Sequence, residues 1–247
     1  MNDIILLKLG EIVLKGLNRR SFEQKLTANV RRRLAPIGKF RVYCLQSIIY
    51  VEGEDGADMD TAFEALKKVF GVISLTRAAA CEKNKDAIAK LAIEYLREDM
   101  LRAKSFKVET RRSDKAFPMT SIELSQYVGN ALSDAYEDIE VDVHDPELVV
   151  HIEVRDLAAY VHAMPVHGAG GLPVGCSGTA VTLLSGGIDS PVSTYMIAKR
   201  GVHLIPVHFF SFPYTSQQAK DKVIVLGRLL TEYCGELTVE VVPFTHT

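Results

Sequence analysis

Apolar positions along the chain recur with two spacings, and the change from one to the other marks out the elements. Asp3–Leu9 reads as a short apolar strand. Phe22, Leu26, Val30 and Leu34 recur every four residues on one face, which predicts a helix capped by Asn18 and ended by Pro36 and Gly38. Lys39–Leu45 and Ser47–Glu52, rich in β-branched and aromatic residues, predict a tight hairpin. Asp58–Phe70 is a second helix with Ala62, Phe63, Leu66 and Val69 inward, Gly71 closes it, and Val72–Thr76 follows as a strand. The order strand, helix, strand, strand, helix, strand is that of a ferredoxin-like domain.

A second α/β unit follows. Lys85–Leu101 has helical periodicity through Ile88, Leu91, Ala92 and Tyr95, and Ser105–Arg111 alternates as a strand. Thr120 or Ser121 caps a helix that runs to about Tyr136. Three short strands are expected at Glu140–Val143, Glu147–Val154 and Ala158–Ala163. Gly168–Gly175 is mostly Gly and Pro and reads as a linker. Beyond it, strands at Ala180–Leu184, His203–Phe209 and Leu237–Val242 alternate with helices at Ser190–Arg200 and Gln217–Tyr233. That alternation predicts a doubly wound parallel sheet. Only three strands fit before Thr247, so this domain is expected to be incomplete.

Composition adds one feature. The chain of 247 residues has a net charge of only −2. Yet residues 1–115 hold 23 Lys and Arg against 16 Asp and Glu, while residues 116–247 hold 6 against 15. A basic front half on a near-neutral chain points to a local polyanion-binding surface. No apolar run reaches the length of a membrane span, and the acidic start Met1-Asn2-Asp3 is unlike a secretory signal, so a cytoplasmic protein without a membrane partner is expected. Cys44, Cys81, Cys176 and Cys234 show no metal-ligand spacing and read as small buried hydrophobes, so no metal site is expected.

The chemistry concentrates at Ser185-Gly186-Gly187-Ile188-Asp189-Ser190, between a buried strand and a helix start. Free N–H groups and the helix dipole make such a junction an anion site. Gly186 and Gly187 permit a tight turn and close approach of a phosphate, Ser185 and Ser190 add hydroxyls, and Pro191 suits the first helical turn. The loop lacks the lysine of a Walker A motif and does not match G-x-G-x-x-G. It resembles the PP-loop, S-G-G-x-D-S, of ATP pyrophosphatases, which cleave ATP to AMP and pyrophosphate. That resemblance implies that Leu183 and Leu184 line the adenosine site. His208 and Phe209 end the next strand at the same carboxyl edge, where open α/β sheets bind ligands. Phe209 is placed to contact adenine and His208 to hydrogen-bond. Asp189, the candidate catalytic residue, positions either the loop or a magnesium–pyrophosphate, the Mg2+ being carried by ATP.

Three further segments resemble the tRNA 4-thiouridine synthetases. These are Glu11–Glu23 in the ferredoxin-like domain, Phe106–Pro118 with Val149–Val161 in a THUMP RNA-binding module, and Gly170–Gly175 before the loop. The likeness covers nearly the whole chain. It implies an N-terminal ferredoxin-like domain at 1–60, its last helix and strand running to about 80, and a THUMP region at 61–165. A linker at 166–175 and a partial PP-loop domain at 176–247 complete it. The implied reaction adenylates the 4-oxygen of the uridine at position eight of tRNA, after which sulfur from a cysteine desulfurase persulfide displaces AMP. The family is also tied to sulfur supply for thiamine thiazole, and a homodimer is a family expectation. Arg31, Arg32 and Arg33 at a helix end, with Arg111, Arg112 and Lys115 beside the THUMP strand, are the candidate RNA contacts. Phe117 is either a base-stacking residue or part of the core. None of the four cysteines matches the family's sulfur acceptor. The alternative is a tRNA-binding THUMP fragment without turnover. A PP-loop synthetase with a non-RNA substrate is disfavoured by the Ser113–Pro118 region.

Overall fold

The computed structural model describes residues 3–14, 16–54 and 56–245; Lys15 of the Glu11–Glu23 segment lies outside them. The chain forms two compact units, one of Met1–Leu6 with Thr76–Val166 and one of Leu7–Leu75 with His167–Thr247. The long strands β1 (Asp3–Leu9) and β4 (Val72–Cys81) contribute residues to both.

In the second unit, β1 is followed by two 3-10 turns and α1 (Arg19–Leu34), then β2 (Phe40–Leu45), β3 (Ile48–Gly53) and α2 (Met59–Lys67). The strands run β2-β3-β1-β4, which is the ferredoxin-like arrangement. Leu26, Val30 and Leu34 are buried as their spacing predicts, whereas Phe22 is only partly so. Asn18 does not cap α1 with its side chain. It is already in a helical conformation within the preceding 3-10 turn, where a cap needs extended backbone. Asp58 does cap α2, accepting from the amides of Asp60 and Thr61. The Thr61 hydroxyl and amide hold its carboxyl below the usual range.

The Gly-rich segment before the PP-loop is a fixed strap rather than a flexible tether. The Gly168 and Gly170 amides donate to Ile73 and Val72 carbonyls at 2.9 and 2.8 Å, and Gly71 donates to Gly170 at 2.8 Å. A Cβ on Gly168 would stand 2.5 Å from the Val72 oxygen, so its glycine serves close backbone approach.

After the strap come β10 (Thr179–Leu183), α6 (Asp189–Ala198), β11 (His203–Phe210), α7 (Gln217–Cys234) and β12 (Glu240–Pro243). The three strands form a parallel sheet in the order β10-β11-β12. Ser216 caps α7. Leu184, Ala198, Leu204, Val223, Leu230 and Cys234 form the core, and Phe70, after α2, inserts into it against Tyr195 and Tyr233 at ring-centroid distances of 5.1 and 5.9 Å. The opposite sheet face leaves Val181, Leu183, Phe209 and Val242 exposed.

The first unit packs α3 (Lys85–Tyr95), α4 (Arg97–Arg102) and α5 (Ser121–Ala135) with a sheet ordered β4-β8-β7-β5-β6. Its strands are β5 (Ser105–Arg112), β6 (Glu140–Val141), β7 (Leu148–Val154) and β8 (Ala159–His162); the two-residue β9 (Val166–His167) pairs with β4. The helix expected over Lys85–Leu101 is broken at Leu96, and the restart lets both Leu96 and Met100 reach the core. Thr120 and Glu123 form a capping box at α5.

Candidate functional site

The strand β10 runs in register with β11, Leu183 opposite Val207, and the pairing continues one residue further as the Leu184 amide donates to the Val207 oxygen at 2.8 Å. The chain then turns through Ser185–Ile188 into α6. Two hydroxyls hold the turn. Ser190 Oγ accepts from the Ser185 amide at 2.9 Å and lies 3.1 Å from Ser185 Oγ, which accepts from the Gly187 amide at 3.4 Å. Thr194 Oγ1 and Ser193 Oγ donate to the Ser190 carbonyl at 2.7 and 3.0 Å. Ser190 is therefore a brace of the loop before it is a ligand group. Asp189 is exposed, and no hydrogen bond or ion pair engages its carboxylate among the described residues.

The glycines carry the sharper message. Neither Gly186 nor Gly187 occupies the left-handed region. A Cβ on Gly186 would lie 3.5 Å from Lys222 Cδ, and one on Gly187 would lie 3.5 Å from Ser185 Oγ, both ordinary contacts. The expected need for a tight glycine turn therefore does not hold. The fold would accept alanine at either position. What remains is room for an anion to approach bare backbone amides at a helix start.

The four residues expected around adenosine divide between the two sheet faces. Leu183 (63% exposed) and Phe209 (48%) share the open face, where the Phe209 ring meets Phe244 edge-on at 5.6 Å. Leu184 and His208 are buried on the helix-covered face. His208 Nδ1 lies 3.0 Å from the Leu184 carbonyl. A carbonyl only accepts, so Nδ1 donates a proton to it. Nε2 is buried and has no partner among the described residues.

Sequence reading missed the cations of α7. The Lys222 side chain runs beside Gly186, and Lys220 sits over the Phe210 ring at 5.1 Å. Neither carries a local signal, because only the packing of α7 brings position 222 to position 186. Among the described residues no group of three or more His, Cys, Asp or Glu side chains is arranged to hold a metal ion. No helix among them is long and apolar enough to cross a membrane.

The basic residues also separate. Arg31 donates to the Val42 carbonyl at 2.6 Å, and Arg33 donates to the Thr231 and Glu232 carbonyls. Arg112 donates to the carbonyls of Phe117 and Met119 at 2.8 and 2.6 Å, closing the loop before α5. Phe117 itself belongs to the core, so it does not offer a stacking surface. Arg32, Arg111 and Lys115 are exposed, as is Arg31 despite its bond to Val42.

Burial pushes the Cys44, Cys81 and Cys234 thiols up to about 11. Thiols held protonated in this way are poor nucleophiles.

Comparison with known proteins follows the same division. Residues 4–76 match the family described as the ThiI ferredoxin-like domain, 82–162 the THUMP domain, and 175–247 the thiamine biosynthesis protein ThiI. A protein named "Probable tRNA sulfurtransferase" from Alkaliphilus oremlandii is 44% identical over 95% of this chain and 60% of its own length. One of the same name from Acetivibrio thermocellus is 42% identical over 100% of this chain and 63% of its own. The chain thus spans about three fifths of these relatives. A crystal structure of a 4-thiouridine synthetase–RNA complex with bound ATP superposes with a TM-score of 0.88 at 30% identity, over 99% of this chain and 63% of that one. A Pyrococcus horikoshii protein superposes at 0.84 with 25% identity, over 97% and 80%. With its ferredoxin-like, THUMP and PP-loop parts in the order and form of these relatives, the chain belongs to the tRNA sulfurtransferase family, the 4-thiouridine synthetases.

Proposed function

We propose that the chain serves the ATP-dependent conversion of the uridine at position eight of tRNA to 4-thiouridine. The observation that carries this reading is the pair Gly186 and Gly187, glycines that neither backbone conformation nor internal packing requires, at the start of α6. ATP is the substrate whose phosphates fit there, in keeping with the ATP bound by the related synthetase. The base oxygen attacks the α-phosphorus, the α–β bridge breaks, and pyrophosphate leaves. The outer sulfur of a persulfide relayed from a cysteine desulfurase then attacks C4 and displaces AMP, and a thiol reductant cleaves the resulting S–S bond, forming a new disulfide and releasing 4-thiouridine.

In this reading the loop amides and Lys222 face the leaving pyrophosphate, and Asp189 faces the Mg2+ that travels with ATP. Leu183 and Phe209 flank adenine on the open face, while His208 fixes the Leu184 carbonyl from behind. Arg32, Arg111 and Lys115 contact RNA phosphates, and Arg31, Arg33 and Arg112 hold the backbone that presents them. The protein works in the cytoplasm, forms a homodimer, and supplies sulfur for thiamine thiazole, the last in line with the name of the family matched at 175–247.

A second reading is tRNA binding without turnover by this chain, favoured by the three thiols that burial holds protonated. Pyrophosphate release from MgATP, with and without tRNA, separates the two. tRNA-stimulated release supports adenylation. Binding that falls steeply with salt, with no release, supports the second reading. No salt-sensitive tRNA binding at all overturns both.

A further inference from the structure

A cavity lined by α1, the strap and the end of α7 lies away from the PP-loop. It has a volume of about 780 Å3 and opens between α1 and the amino ends of β10 and β11, at Thr179 and His203. The loop lies at the carboxyl end of β10, about 13 Å off at the usual rise of a strand. The two places are therefore separate.

Its lining is uneven in charge. Lys25, Arg32 and Arg33 face a single carboxylate, Glu236. Arg33 is committed to the carbonyls ending α7. Lys25 and Arg32 form no ion pair among the described residues. The ends of α1 and α7 also reach the cavity, each adding roughly half a negative charge. That accounts for cations in the last turn of α1, but not for Lys25, about two and a half turns earlier. Lys25, Asn29 and Arg32 instead form one helical stripe. Asn29 donates to the Val174 carbonyl at 3.1 Å and accepts from Arg32 at 3.2 Å, which holds the guanidinium at the cavity rim. The Lys25 ammonium sits over Gly175, where an added Cβ would be 3.4 Å from it.

A lone phosphate does not need this volume, which falls in the range of roughly 300–1,000 Å3 typical of sites for organic ligands. Val69, Phe70 and Tyr233 also line it; the first two are core residues, and Tyr233 is half-buried. Cations at the rim together with the half-buried Tyr233 ring match a base joined to a phosphate. We propose that this cavity is a second nucleotide site, taking a nucleoside monophosphate unit with its phosphate on Lys25 and Arg32 and its base against Tyr233. The unit comes from an RNA chain or from a free nucleotide. The RNA source rests on the tRNA reading above; the free-nucleotide source does not.

Photolabelling with 8-azido-AMP and peptide mapping tests the site, beside anisotropy of a labelled eight-residue oligouridylate. The expected result is label on the peptide holding Tyr233, lost in Lys25→Glu/Arg32→Glu. If oligouridylate affinity also falls at least tenfold in the pair, the source is RNA. If it is unchanged, the source is a free nucleotide. Label confined to residues 183–190 and 207–210, or none, overturns the site whatever the anisotropy shows. Should circular dichroism show the charge-reversed pair unfolded, Lys25→Met/Arg32→Met replaces it. Lys115→Glu is run alongside. If it alone weakens RNA binding and Tyr233 is unlabelled, the tRNA reading stands and the second site falls.

Discussion

The Arg33 guanidinium donates to the main-chain oxygens of Thr231 at 3.0 Å and Glu232 at 2.5 Å. These carbonyls lie in the last turn of α7, where the Gly235 amide also donates to the Thr231 oxygen at 3.2 Å. The last turn of one helix thus closes the last turn of another. Burial lowers the Arg33 pKa, with Glu232 and Cys234 opposing, yet a guanidinium stays charged at any working pH. Arg33→Met should cost about 2 kcal/mol in urea unfolding, the scale of hydrogen bonds to a charged group. Exposed Arg32→Met should stay within about 0.5 kcal/mol. Equal losses would show that Arg33 is not the brace.

Gly186→Ala separates folding from binding. Its Cβ would meet only Lys222 Cδ at an ordinary 3.5 Å, and Gly186 is not left-handed. The melting temperature should hold or rise slightly, because alanine restricts the unfolded chain. MgATP affinity by calorimetry should fall at least about tenfold, since the methyl occupies the approach to the loop amides. A variant that unfolds, or binds ATP normally, contradicts the cradle.

In the proposed reaction Lys222, whose side chain runs beside Gly186, supplies from α7 the cation that the loop itself lacks. Lys222→Met should weaken ATP about tenfold, or 1.4 kcal/mol, and leave AMP nearly unchanged, because in that reaction the charge faces the β- and γ-phosphates. Titrations with the two nucleotides decide it. Equal weakening of both would mean that the lysine packs the loop instead of pairing with pyrophosphate.

The thiols make a prediction in pH. Burial raises Cys44, Cys81 and Cys234 from 9.0 to about 11. The folded state therefore keeps protons that the unfolded state has released. Their contribution to stability is complete below pH 9 and is lost as pH rises towards 11. Iodoacetamide labelling followed by mass spectrometry should be slow at these three residues near pH 7.5 and accelerate towards pH 11. Fast labelling of Cys234 at neutral pH would reopen it as a sulfur carrier.

The ferredoxin-like order was legible because its signals are local. Leu26, Val30 and Leu34 repeat on one helix face, and Asp58 and Thr120 mark helix starts by side-chain chemistry. The loop at 185–190 was legible for the same reason. Other details were not. Asn18 looks like a cap, but the 3-10 turn before it removes the backbone shape that a cap needs. The break at Leu96 follows no Pro or Gly, and only burial of Leu96 and Met100 explains it.

The arginines show where sequence stops. Arg31, Arg32 and Arg33 are identical letters in a row, and sequence alone assigned them one role. Successive helix positions point about 100° apart. One therefore reaches Val42, one reaches α7, and one is left at the cavity rim. Sequence by itself determined the order of the elements, the family and the loop, since these rest on neighbouring residues and their periods. Only the tertiary structure decided that Lys222 stands beside Gly186, that His208 is bound to Leu184, and which cations stay exposed. Those relationships join residues far apart in the chain, and packing alone sets their distances.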